Sequence, residues 1–381
     1  LTHNFLGPLI FLFIMFLIFN GVFLLGEPFK NFIDLFLEKL KGLLSNSNFS
    51  SYLISLLNEG IISGVGSVIS FVPNIFLFFF FFSILEDTGY MARAAIVSDR
   101  IMHKLGLNGK SAISLILGFG CNVPAIMGTR ILENKRDKIL TSLSIPFISC
   151  SARLPVYILF TGIFFSKNQG LIIFSLYLLG IIVSFLTIKF FDSFVFKQES
   201  MPLIIELPLF RSPYWKSVLL ESWTRTKYFL KKAGTLIFIG SLILWLLSYF
   251  PNPENYGSEY NFIGRIGKII SPLFKYSGFN FWQAGVALIF GIYAKELVVS
   301  TFGTLFGVEN LNESLRIYFD PISSYSFMIM SLLYMPCLAT FLVLKKEIGG
   351  KWAIVSFFWT FFTGWLISTL FYQIFNFLIG G

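Results

Sequence analysis

Residues 111–138 read SAISLILGFGCNVPAIMGTRILENKRDK, an apolar run that breaks in its middle and ends in a basic cluster. As far as Leu117 the residues suit a buried helix. Gly118 and Gly120 then loosen the backbone, Pro124 removes a donor, and Cys121 and Asn122 stand at the interruption. Backbone that gives up helical hydrogen bonds inside a bilayer needs protein or a wet cavity around it. The stretch therefore reads as a helix interruption buried within a larger membrane assembly.

Composition supplies that membrane. Of 381 residues, 55% are hydrophobic and only 13% charged, with a mean hydropathy of +0.76. A soluble domain carries roughly 25% charged residues, so apolar surface on this scale has lipid as its natural solvent. The 49 Phe residues, five of them in the run 78–82, act as general apolar filler rather than as an interfacial belt, which favours Trp and Tyr. The net charge of +9 is spread over short loops between apolar runs, a positive-inside pattern and not a nucleic-acid patch. Three scattered cysteines make no disulfide framework.

Seven apolar runs are long enough, or nearly so, to cross roughly 30 Å of hydrocarbon. They lie near 6–25, 64–85, 139–166, 171–191, 234–250, 321–344 and 352–378; two more, 111–129 and 283–306, are interrupted by Gly or charge. Segment 29–44 alternates apolar and charged residues at helical period, as expected of a helix lying in the interface. Lys197, Arg211, Lys216, Arg225, Lys227, Lys231 and Lys232 place 192–232 in the cytoplasm, and 130–138 and 345–351 are basic as well. Loop 251–260 carries Glu254 and Glu259 without a basic residue, which places it outside.

Parity follows. Arg93, Arg100, Lys104 and Lys110 make 86–110 cytoplasmic, so run 111–129 enters and leaves on one face. Run 283–306 is the better candidate for the matching outer hairpin. The fold class is thus an all-α polytopic membrane protein, with about seven spanning helices and two re-entrant hairpins in an inverted repeat. Its expected divisions are a first transmembrane and interfacial helix (1–60), a first gate repeat (61–170) and a connecting span with a basic segment (171–232). A second gate repeat (233–345) and a C-terminal transmembrane helix (346–381) complete it. Such repeats hold their substrate near the midplane, where interrupted helices meet.

The chemistry-bearing residues cluster at these interruptions. Freed carbonyls, the Cys121 sulfur and the Asn122 amide oxygen form a mixed hard and soft ligand set, suited to a borderline divalent ion; the alternative is that Cys121 is a small buried hydrophobe. Cys150, between Pro146 and Pro155, and Cys337, after Pro336, share the same setting. Lys295 and Glu296 interrupt an apolar run, which suits either a pathway role or an internal ion pair. Glu86 and Asp87 end a span and are candidates to line an exit, although solvated helix-end charges give the same pattern. Arg153 is expected to bond backbone freed by Pro155. GLNGKS (106–111) is no P-loop, because the position of its first glycine holds Lys104.

SILEDTGYMARAA (83–95), GLNGKSAISLILGFGCNVPAIMGTR (106–130), IPFISCSARLPVY (145–157), WTRTKYFLKKAGT (223–235), FGIYAKELVVST (290–301) and MPCLAT (335–340) together resemble the membrane, or gate, domain of the ferrous iron transport protein B (FeoB) family. The resemblance implies uptake of Fe²⁺, as transported substrate, across the bacterial inner (cytoplasmic) membrane. It implies pore or gate ligands at Cys121 and Cys337; the residues themselves add Asn122, Glu296 and Cys150 as candidate metal contacts, and Gly118, Gly120, Pro124, Pro336, Lys295, Glu86 and Asp87 as candidate pathway or gate positions. The family's N-terminal G domain is not found here, so GTP and Mg²⁺ are expected only through a cytoplasmic G domain acting in cis or in trans, and no enzymatic activity is expected of this chain. Expected partners are membrane lipid, that G domain, small FeoA- and FeoC-type accessory proteins and further copies of the chain; nucleic acid is not among them. A nucleoside-type or other small-solute transporter on the same scaffold is the alternative.

Overall fold

The computed structural model describes residues 6–45, 51–165, 167–196, 210–231, 235–252, 258–306 and 311–379. Lys197, Lys232 and Glu254, used above to assign sidedness, lie outside them. In chain order the α-helices are α1 (Leu6–Ser45), α2 (Ser51–Ser55), α3 (Ser63–Asp87), α4 (Tyr90–Lys104), α5 (Lys110–Leu117) and α6 (Asn122–Gly128). They continue with α7 (Lys135–Ser144), α8 (Leu154–Phe164), α9 (Gln169–Phe191), α10 (Trp215–Phe229), α11 (Thr235–Tyr249) and α12 (Phe262–Ile270). The last six are α13 (Trp282–Tyr293), α14 (Leu297–Phe306), α15 (Leu311–Tyr318), α16 (Pro321–Leu333), α17 (Leu338–Ile348) and α18 (Gly350–Ile379). The protein is an all-α polytopic membrane protein.

Among the described residues, four stretches are long and apolar enough to cross a bilayer: Lys135–Phe164, Gln169–Phe196, Pro321–Ile348 and Gly350–Leu378. They match four of the seven expected runs. Run 64–85 falls in a pair, Val72–Asp87 with Tyr90–Ile96, that is bent by 80°. Run 234–250 is the 15-residue α11. The separate interfacial helix expected over 29–44 does not exist as such: α1 runs through it for 40 residues, with Pro28 inside. The apolar stripe of 29–44 keeps helical period with the run before it, so nothing at the junction ends the helix.

The chain divides into two compact units, each discontinuous in sequence. The first takes residues 1–104, 108–113 and 201–246. Within it α3 packs along α1 and α10. Glu86 pairs with Arg225 at 2.9 Å, and Ser83 donates to Glu221 at 3.2 Å. Asp87 accepts from the Tyr214 backbone N–H at 2.7 Å and is ion-paired with Arg211. Of the two carboxylates expected to line an exit, Asp87 thus anchors the residues before α10, and Glu86 the last turns of α10, to the end of α3.

The second unit takes residues 105–107, 114–200 and 247–381. Local chemistry sets its elements. Asn134 caps α7 by accepting from Arg136 N, and Asp320 and Ser323 form a capping box on α16 with Pro321 at its first position. Gly278 ends a 3₁₀ turn at φ +86°, where a Cβ would lie 2.2 Å from the Tyr372 ring, so only glycine fits. Arg136, 3% exposed, pairs with Asp137 at 2.8 Å, with Asp192, and with the Gly106 carbonyl at 2.9 Å. Phe160 lies at the centre of an aromatic core with Phe302, Phe319 and Phe327, its ring centroid 5.1 Å from the last two. In lipid such packing acts through dispersion rather than through transfer from water, so the costly parts of this unit are its polar backbone interruptions.

Candidate functional site

Four interruptions lie in the second unit. The first follows α5: the N–H groups of Gly118, Phe119, Gly120 and Cys121 bond carbonyls of the last turn, after which Cys121 turns extended (φ −154°, ψ 129°) and N-caps α6. Pro124 costs no helical bond there, since Ala125 N is the first to reach back, to Cys121 O. The second divides the run expected as a continuous span over 139–166. Two 3₁₀ turns, Ile145–Phe147 and Ser151–Arg153, flank extended residues that end at Cys150. The third is Ala294–Glu296 between α13 and α14, which pack against each other as an interrupted hairpin. The fourth runs from Tyr334 to Cys337 between α16 and α17, with Pro336 inside it.

These interruptions are bonded to one another. Ser151 donates to the Gly120 carbonyl through both N (3.3 Å) and Oγ (2.9 Å), joining the first to the second. A Cβ on Gly118 would meet Leu115 O at 2.9 Å and Ile148 at 3.3 Å, so that glycine allows their approach. Arg153, 0% exposed, donates to Ile148 O at 2.8 Å, Pro146 O at 2.9 Å and Tyr334 O at 3.4 Å, joining the second to the fourth. This corrects the expectation from Pro155: the carbonyls Arg153 serves are those released at 146–148, where the chain leaves the helix. Lys295 Nζ rests 3.1 Å from the Tyr334 ring centroid, joining the third to the fourth.

Each cysteine is the residue immediately before a helical turn: Cys121 before α6, Cys150 before the Ser151–Arg153 turn, Cys337 before α17. All three are free thiols; Cys150 is buried and the others are half-buried. The Cys337 sulfur lies 3.1 Å from Thr340 Oγ1. Cys121 is within electrostatic reach of Cys150, Cys337 and Glu296, and Lys295 of Arg153, Cys150, Cys337 and Glu296. Asn122 is 2% exposed, and neither its amide oxygen nor its nitrogen has a hydrogen-bond partner. A buried carboxamide left unpaired at both ends is uncommon and costly.

The helices that end at these interruptions, α5, α13 and α16, present C-terminal carbonyls, the negative end of the helix dipole. Thiols at helix starts, carbonyls at helix ends and a free carboxamide together make the mixed sulfur and oxygen surroundings read from the sequence. Among the described residues no three His, Cys, Asp or Glu side chains come together as a metal-holding group. Lys295 Nζ has no hydrogen-bond partner, while Glu296 is within its electrostatic reach, so the internal Lys295–Glu296 pair weighed above is not a hydrogen-bonded one. Glu86 and Asp87 belong to the first unit. Tyr334, which touches two other interruptions, was not singled out in the sequence; its place directly before Met335-Pro336-Cys337 was the available signal.

Two family models match the chain. One, described as nucleoside recognition (Gate), covers 68–164 and 230–351; the other, ferrous iron transport protein B C terminus, covers 173–225. An Fe(2+) transporter FeoB of Staphylococcus aureus is 43% identical, over 98% of this chain and 58% of its own length. One from Methanocaldococcus jannaschii is 44% identical, over 93% of this chain and 55% of its own. An Fe(2+) transport protein A/Fe(2+) transporter FeoB fusion protein of Porphyromonas gingivalis is 37% identical, over 98% and 50%. The chain thus spans somewhat over half the length of most of these relatives. No solved structure matches it.

Proposed function

Because this chain belongs to the family of ferrous iron transport protein B, we propose that it forms the path by which Fe²⁺ crosses the bacterial cytoplasmic membrane. The observation that carries the reading is the convergence of four helix interruptions around three thiols and an unpaired, buried Asn122 amide. Fe²⁺ enters from the outer face, sheds part of its water, and meets Cys121, Asn122, Cys150, Cys337, Glu296 and the carbonyls of the interrupted helices in turn. Borderline Fe²⁺ suits such a set better than the hard ions Mg²⁺ and Ca²⁺. Contacts that never close into a chelate allow release as well as capture. Gly118, Gly120, Pro124 and Pro336 keep the interruptions open, and the chain itself catalyses no reaction.

The two Gate segments overlap the repeats at 61–170 and 233–345, which supports a gate made of two related halves. A cytoplasmic domain that binds GTP and Mg²⁺, acting in cis or in trans, drives the opening. The fusion named for the Porphyromonas relative supports an FeoA-type partner. Organic solutes such as nucleosides fit less well, because recognition of a base and sugar calls for several paired polar side chains rather than thiols.

Anaerobic Fe²⁺ flux into proteoliposomes, with and without an added G domain, tests the assignment, and calorimetry with Fe²⁺, Mn²⁺ and uridine tests the ligand class. Cys121→Ser and Cys337→Ser protein that folds normally is expected to lose most of its Fe²⁺ flux. Flux at the wild-type level in both variants removes the thiols from the mechanism.

A further inference from the structure

Tyr334 makes contacts that the permeation path does not require. Its hydroxyl donates to Leu288 O on α13 at 3.1 Å, its peptide oxygen accepts from Arg153, and its ring face holds the Lys295 amino group. Gly291 makes room for this, since a Cβ there would lie 2.1 Å from the Tyr334 hydroxyl. Lys295 is 1% exposed, and its Nζ has no hydrogen-bond acceptor. The charged or titratable groups near it are Arg153, Cys150, Cys337 and Glu296. An amino group stripped of water at membrane depth, with an aromatic face beneath it and no hydrogen-bond acceptor, is costly and points to a role. An aromatic face attracts cations, most strongly where water is absent. The Tyr334 ring is therefore a place in the centre already adapted to a positive charge, and a side chain of the protein fills it.

Building on the reading of this centre as an Fe²⁺ path, we infer that Lys295 is its tethered plug. In the closed centre the Lys295 amino group occupies the Tyr334 face, and it leaves that face when a travelling divalent cation takes the space. Lys295 stands in the third interruption, two residues after α13 ends at Tyr293, so rotation about its own side chain and the Ala294–Glu296 turn is enough to withdraw it. Residue 295 thereby couples cation passage to the α13–α14 hairpin.

The test compares Fe²⁺ leak into anaerobic proteoliposomes, without any nucleotide-binding partner, for the wild-type chain, Lys295→Met, Tyr334→Leu and the exposed-lysine control Lys268→Met. Lys295→Met and Tyr334→Leu are expected to raise the leak about tenfold, the factor that loss of a desolvated cation–π contact corresponds to; Lys268→Met leaves it at the wild-type level. A second measurement uses the wild-type chain alone: acylation of Lys295 by an amine reagent, read by peptide mass spectrometry with and without Fe²⁺. Fe²⁺ is expected to expose Lys295 to the reagent. Wild-type flux with an unchanged leak in Lys295→Met, or labelling indifferent to Fe²⁺, overturns the plug while leaving the transport reading standing. Absence of Fe²⁺ flux in the wild type and every variant overturns both.

Discussion

Arg153 and Lys295 are both buried basic side chains near the same aromatic residue, yet replacing each by Met is expected to have different consequences. Arg153→Met orphans the Ile148 and Pro146 carbonyls, bonded at 2.8 and 2.9 Å, and the weaker contact to Tyr334 O at 3.4 Å. Each buried acceptor left unpaired costs about 1–3 kcal/mol, and backbone at 146–148 has no water to turn to. The summed loss is about 3–5 kcal/mol, which at about 2 °C per kcal/mol lowers the unfolding midpoint by roughly 6–10 °C. Lys295→Met instead removes a donor that has no acceptor. That relieves about 1–3 kcal/mol of unmet hydrogen bonding and loses an aromatic contact worth about 1–2 kcal/mol, so its midpoint stays near the wild-type value. Thermal unfolding of both variants in one detergent, followed by monodispersity on size exclusion, gives the comparison. A Lys295→Met midpoint that falls as far as that of Arg153→Met would show that Lys295 has a true partner, and the distinction drawn between them would be wrong.

Gly278→Ala places a methyl group 2.2 Å from the Tyr372 ring at a φ of +86°; the combined strain and overpacking is expected to cost about 2–4 kcal/mol, partly recovered by adding Tyr372→Ala, as read from unfolding midpoints. On the exposed loop before α12, the hydrogen bond and charge of Lys268 hold the Glu259 carboxyl below its usual value. The stabilisation from this pair is therefore complete above the ordinary carboxylate range and is lost as pH falls through the lowered value. Lys268→Met is expected to raise the Glu259 pKa, and a titration of the labelled carboxyl that does not move would refute the pairing.

The amino-acid sequence by itself determined the solvent of this protein and the places where its helices fail. Too few charges to cover a soluble surface fixed the first; Gly118, Gly120 and Pro124, and the charged Lys295-Glu296 within 283–306, marked two of the interruptions, because a missing donor, a missing Cβ or a charge in an apolar run acts locally wherever the chain goes. It also marked Cys121, Cys150 and Cys337 as a set through their shared setting. The interruption ending at Cys150 was legible only as two prolines inside a run that read as continuous. Whether that run bends depends on Ser151 finding Gly120, 31 residues away, and on Arg153 finding Tyr334, 181 residues away. Tertiary structure alone decided those pairings, and with them which side chains stand in the centre. Backbone groups freed in a bilayer must be satisfied by whichever partner arrives in space, and sequence spacing carries no record of that choice.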